Sequence, residues 1–189
     1  MWRRKRKAEP PRPAPLRVLR SERLTLVAAT AGLVGADLAG VAALAGALDA
    51  EVSSEWPPEL FSSPVMQLIR AQLDDPAEQG WSAWYLVSRE QGVDTLVGLC
   101  QFKGRPDLAG VVEIAYSVLP SFRNRGYATE AVARLVEWAF GHSNVTGIVA
   151  ETLTHSKRSI RIMEKTGFVF AGPGSEQGIV RYVLSKTRG

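Results

Sequence analysis

The segment Ser121-Phe122-Arg123-Asn124-Arg125-Gly126-Tyr127-Ala128-Thr129 sets a glycine, a small residue two positions on and two cations between a strand-like run and a helical one. That combination suits a bound phosphate. The first turn of a helix leaves backbone N–H groups unpaired, and its dipole favours an anion. Gly126 has no side chain to hold a phosphate away, and Ala128 is small where a larger residue would crowd it. Arg123 and Arg125 add positive charge beside the amides. Taken alone, Arg-x-x-Gly-x-Ala fits many solvated loops. The strand before it and the amphipathic helix after it give the pattern its weight.

The flanking elements follow from periodicity. Val111–Leu119 is rich in β-branched residues and ends at Pro120, which cannot donate to a ladder. Tyr127–His142 places Ala128, Ala131, Leu135, Trp138 and Ala139 on one helical face. Upstream, Arg23–Ala28 reads as a strand, Leu33–Leu48 as a helix, Trp56-Pro57-Pro58 as a loop and Val65–Leu73 as a helix opened by Pro64. Trp81–Ser88 and Thr95–Phe102 are strands that lead by tight turns into Val111–Leu119. Downstream come a strand at Gly147–Glu151 and a helix at Ser156–Thr166, with Gly167 as its left-handed cap. Strands at Phe168–Ala171 and Ile179–Leu184 follow. This order predicts a single α/β domain with a mixed, mostly antiparallel central sheet flanked by helices.

Composition agrees with a globular domain: 46% of the 189 residues are hydrophobic and 22% charged. A single cysteine, Cys100, excludes an intrachain disulfide and reads as a small buried hydrophobe in an apolar strand. The net charge of +4 is concentrated in Arg3, Arg4, Lys5, Arg6 and Lys7, followed by a Pro-rich stretch. Residues 1–16 therefore read as a solvated tail, with contact to RNA or a ribosomal protein as the sharper alternative. The domain occupies 17–189. The Ala/Gly-rich stretch Leu24–Leu48 carries Asp37 near its middle, which argues against a membrane span and for a cytoplasmic protein.

Arg123-x-x-Gly126-x-Ala128 resembles the acetyl-CoA motif of the GNAT N-acetyltransferases. The longer strings Glu113-Ile-Ala-Tyr116-Ser-Val-Leu-Pro120, Arg125-Gly-Tyr-Ala-Thr-Glu130-Ala131 and Glu164-Lys165-x-Gly167-Phe168 resemble the ribosomal-protein N-terminal acetyltransferase branch, RimJ/RimL-like. The resemblance covers about Arg17–Lys186. It implies a V-shaped opening between central strands in which pantetheine pairs with the strand end at Val118 and Leu119. The diphosphate would rest on the loop Arg123, Asn124, Arg125, Gly126, Tyr127, Ala128 and Thr129. Ser156 and Ser159 of the next helix would complete the acetyl-CoA site, and Trp56 and Tyr116 the acceptor side. No metal is implied. An exposed strand edge also suits an amide-containing ligand on general grounds.

Acetyl transfer to an amine needs the amine neutral, so a base must take its proton. Glu113, in the apolar strand that leads to the site, is the candidate, acting directly or through water. In many such enzymes a tyrosine on the last helix protonates the leaving thiolate. Met163 falls at that position and cannot donate a proton. The expected reaction is transfer from acetyl-CoA to a primary amine, by a monomer or homodimer. The alternatives are an acyl-CoA-binding module without turnover and a ribosome- or RNA-associated protein that works through its basic tail.

Overall fold

A computed structural model describes residues 17–90 and 92–187; the basic tail lies outside them. The strands are β1 (Val18–Arg20), β2 (Leu24–Ala28), β3 (Glu51–Val52), β4 (Ala83–Ser88), β5 (Thr95–Phe102), β6 (Val111–Val118), β7 (Gly147–Leu153), β8 (Val169–Pro173) and β9 (Ile179–Ser185). The helices are α1 (Ala31–Ala39), α2 (Val41–Leu48), α3 (Ser63–Gln72), α4 (Tyr127–Phe140) and α5 (Lys157–Lys165). The nine strands form one sheet in the order β1-β2-β4-β5-β6-β7-β9-β8, with β3 beside β5. All pairings are antiparallel except β3 with β5 and β6 with β7.

Strand alternation divides the apolar residues between two faces. Leu24, Leu26, Trp84, Leu86, Val112, Ile114 and Ile148 pack under α4 and α5, where Ala131, Leu135, Ala139 and Met163 meet them. Val27, Tyr85, Val87 and Leu99 point the other way, onto α1 to α3. Burying each large apolar side chain contributes roughly 1.5–3 kcal/mol, so the two layers hold the sheet from both sides.

Three elements differ from the sequence reading, one helix and two short strands. The single helix expected at Leu33–Leu48 is two helices, because Gly40 sits at φ 120° and turns the chain between α1 and α2. Thr30 begins α1 by accepting a hydrogen bond from Leu33 N at 3.1 Å. The short strands β1 and β3 went unread, being too brief to show a period. The cap at the end of α5 is as read: Gly167 has φ 89°, and buried Phe168 bonds back to the Met163 carbonyl at 3.0 Å.

The sheet opens at its centre. β6 and β7 pair only through Val111–Glu113 against Gly147–Val149. Beyond that, β6 follows β5 as far as Val118, while β7 follows β9 as far as Leu153. The two halves diverge, and the end of β6 keeps an unpaired edge facing β7.

Candidate acetyl-donor cleft

A cleft of about 780 Å³ occupies that opening. Its floor is the free end of β6 at Tyr116, Ser117 and Val118. One wall is the loop and first turn of α4, and the other is α5 with Ser156 and Ser159. Glu59 and Leu60, from the segment before α3, border it on the opposite sheet face.

The loop is shaped to present amides. Pro120–Phe122 makes a 3-10 turn, Asn124 takes φ 63° and Gly126 takes φ 86°. Among the described residues, the N–H groups of Asn124, Arg125, Gly126, Tyr127, Ala128 and Thr129 make no hydrogen bond. The first helical bond runs from Glu130 N to Gly126 O at 3.0 Å. Consecutive free amides at a helix N-terminus form an anion cradle. A side chain on Gly126 would be strained at that φ, and its Cβ would lie 3.1 Å from Arg23 Nη2. The glycine is thus favoured by its backbone conformation, and a Cβ there would press on the end of the Arg23 side chain behind the loop, reasons distinct from the close phosphate approach read from the sequence.

Of the residues expected to hold acetyl-CoA, Val118, Arg123, Asn124, Gly126, Tyr127, Ala128, Thr129, Ser156 and Ser159 line this one cleft, and Tyr116 joins them. Arg123 donates from Nε to the Val118 carbonyl at 3.0 Å and pairs with Glu59 at 3.1 Å. Tyr116 Oη donates to the Ser159 carbonyl at 3.0 Å. Burial and the nearby Cys100 push the Tyr116 hydroxyl well above the ordinary range, so it stays a donor. The buried Cys100 thiol is likewise pushed up by burial and is no nucleophile.

Four expected residues stand elsewhere. Leu119 is fully buried, its N–H bonded to Val97 O at 2.9 Å and its carbonyl accepting from Phe122 N at 3.0 Å, so its backbone is spoken for. The Arg125 side chain lies over the Phe122 ring, 5.4 Å from its centroid, and bonds the Ser121 carbonyl. Trp56 does not wall the cleft. It is buried, stacked on Tyr85 with centroids 6.0 Å apart, and donates from Nε1 to Asp37 at 2.7 Å. Asp37 also accepts from Tyr85 Oη at 2.8 Å, so this carboxylate serves the core beneath α1. Burial raises its proton affinity, and the two hydrogen bonds partly offset that.

Glu113 does not line the cleft either. It is the last β6 residue paired with β7, at the foot of the opening, and forms an ion pair with Lys103. Alternation puts it, with Ala115 and Ser117, on the face covered by α1 to α3.

Glu151 does line the cleft and escaped the sequence reading, although it stands two residues beyond Val149, the partner of Glu113. Burial alone would raise its proton affinity. Hydrogen bonds from Ser175 and Arg181, the latter at 2.8 Å, outweigh that and hold it below the usual carboxylate range. Arg161 and Lys165 also border the cleft, one and two turns beyond Lys157 and Arg158 on α5; helical spacing was the available signal.

The architecture has known counterparts. An uncharacterized N-acetyltransferase of Bacillus subtilis, YjdG, is 28% identical over 126 residues, 67% of this chain and 74% of that protein. An acetyltransferase structure from Agrobacterium tumefaciens superposes with a TM-score of 0.64 at 21% identity, covering 92% of this chain and 96% of the other. The ribosomal L7/L12 alpha-N-protein acetyltransferase RimL, solved with coenzyme A, gives 0.62 at 18% identity, covering 89% and 98%. At these identities the superpositions speak for the fold. Residues 23–169 match the acetyltransferase (GNAT) domain, which spans the cleft, the amide cradle and both walls, and the chain belongs to the GNAT acetyltransferase family.

Proposed function

We propose that the protein moves the acetyl group of acetyl-CoA to a primary amine. The observation that carries this reading is the row of unbonded amides from Asn124 to Thr129 beside the unpaired edge of β6. The amides and Arg123 hold the diphosphate, and Tyr116, Ser117 and Val118 offer the edge along which an amide-bearing pantetheine arm pairs. Bound acetyl-CoA supplies an activated thioester. The chain supplies position and proton handling.

The amine reaches the thioester carbonyl carbon from the α1–α3 face, opposite α5. Its nitrogen bonds that carbon as the carbon–sulfur bond breaks. The ammonium must lose one proton before attack and a second as the amide forms, and the departing thiolate takes one back. Glu113, at the foot of the opening on that face, accepts the first proton through water. Met163 is buried and holds no proton to give. Glu151, held below the usual carboxylate range by its bonds from Ser175 and Arg181, orients its neighbours.

Release of free CoA by the purified full-length chain, measured over a panel of amines that includes a protein N-terminal peptide, a polyamine, an amino acid and an aminoglycoside, tests the reaction. The peptide arm follows from the likeness to a ribosomal-protein acetyltransferase. CoA binding with no turnover on any amine would leave an acyl-CoA-binding module. Glu113→Gln should lower kcat more than CoA affinity and remove the acid limb of the rate–pH profile. An unchanged rate and profile would leave positioning as the chief contribution.

A further inference from the structure

We propose that Arg23, immediately before β2, is the residue that aims the phosphate-binding amides, so that the donor site is completed from the opposite end of the sequence. The inference rests on the reading of the cleft as a CoA site.

The guanidinium lies behind the loop and forks. Nη1 donates to the Arg125 carbonyl at 2.8 Å, across a separation of 102 residues. Nε donates to Glu130 Oε2, in the first turn of α4, at 2.8 Å. The peptide between Arg125 and Gly126 is planar and trans, so its C=O and N–H point in opposite directions. Drawing the carbonyl back toward β2 therefore turns the Gly126 N–H forward into the cleft. Glu130 ties the same fork to the helix, so loop and helix keep one orientation.

The surroundings hold Arg23 in this pose. Glu130 also accepts from Arg23 N at 2.7 Å and from Ser21 Oγ at 2.7 Å. The guanidinium sits over the Tyr127 ring, 5.0 Å from its centroid. Tyr127 Oη is in turn fixed by Ser88, at 3.1 Å, and by Glu90. Gly126 leaves the space that the guanidinium fills. A lysine would keep the charge, but its single ammonium lacks the rigid planar fork that spans a carbonyl and a carboxylate in two directions.

Arg23 is thus a positioning residue, and its effect should fall on the diphosphate. The test is calorimetric titration of the full-length protein with CoA and with 3′-dephospho-CoA, for wild type, Arg23→Ala and Arg23→Lys, with thermal melts of each. Both ligands carry the diphosphate, so affinity should fall by the same factor for each, about tenfold or more, the usual consequence of losing a charge-assisted hydrogen bond. Arg23→Lys should lose nearly as much as Arg23→Ala. Ethylguanidinium should restore CoA binding to Arg23→Ala where ethylammonium does not, a rescue that a merely structural defect would not show. Should Arg23→Ala not fold, Arg23→Lys and Glu130→Gln carry the same comparison. Unchanged CoA affinity in a folded variant, or full retention in Arg23→Lys, would overturn the inference. Failure of the wild type to bind CoA would instead overturn the reading of the cleft and take this inference with it.

Discussion

Tyr116 and Ser159 meet across the opened sheet: the Tyr116 hydroxyl, rising from β6, donates to the Ser159 carbonyl in the first turn of α5 at 3.0 Å. This bond joins the floor of the cleft to one wall and holds the width of the cleft at that point. Replacing Tyr116 by Phe should destabilise the fold by about 1 kcal/mol and weaken CoA binding, as α5 loses its tether. Because the hydroxyl stays protonated through the neutral range, the bond itself should bring no pH dependence there. A melting curve and CoA titration identical to wild type would show that packing alone sets the width.

Gly126→Val should reduce CoA affinity by about tenfold or more, since left-handed strain costs a β-branched residue roughly 1–3 kcal/mol and the new side chain meets Arg23. Calorimetry on the folded variant decides; wild-type affinity would remove the loop from the site.

Trp56→Ala should act on stability. The ring is 8% exposed, stacked on Tyr85 and bonded to Asp37, so truncation should cost about 3–5 kcal/mol and leave Asp37 short of a donor. Chemical denaturation measures the loss. A stable variant with a raised acceptor KM would return Trp56 to the acceptor pocket.

Lys157 and Arg158 stand exposed at the cleft mouth in the first turn of α5, where the helix dipole disfavours cations unless an anion is near. If they receive the ribose 3′-phosphate, the double alanine variant should lose most of the preference for CoA over 3′-dephospho-CoA. A preserved preference would leave them as solvated charges. Arg23→Ala should spare this ratio, so the two experiments separate the phosphates.

Glu130 gives stability an acid edge. Partial burial would raise its proton affinity, but hydrogen bonds from Ser21 and Arg23, with the Arg23 charge, carry it below the ordinary value of 4.5. A carboxylate depressed in the folded state contributes stability in full above its unfolded pKa and loses it as pH falls through the folded one. The melting temperature should therefore drop below about pH 4.5, and Glu130→Gln should flatten part of that drop while lowering stability at neutral pH. An identical pH profile in the variant would show that the ion pair contributes nothing net.

What the sequence determined by itself was local. Thr95–Phe102 was legible from its β-branched and apolar run, the cap at Gly167 from one glycine followed by Phe168, and the cradle from Arg123-x-x-Gly126-x-Ala128 before an amphipathic helix. These signals act over a few residues, through backbone sterics and the two periods of side-chain direction. The tertiary structure decided the rest. Gly40 lies unmarked in an Ala/Gly-rich stretch that reads as one helix, yet its positive φ divides α1 from α2. Trp56 and Glu113 carry the side chains an active site would use. Whether they reach the cleft depends on Asp37 lying beneath Trp56 and on β6 parting from β7 just past Glu113. Arg23 reads only as the first residue of a strand, because its partners, the Arg125 carbonyl and Glu130, become neighbours only when α4 packs on the sheet over β2. A sequence writes its near-neighbour chemistry in order along the chain; strand order and the edge left unpaired are settled by which distant surfaces bury one another.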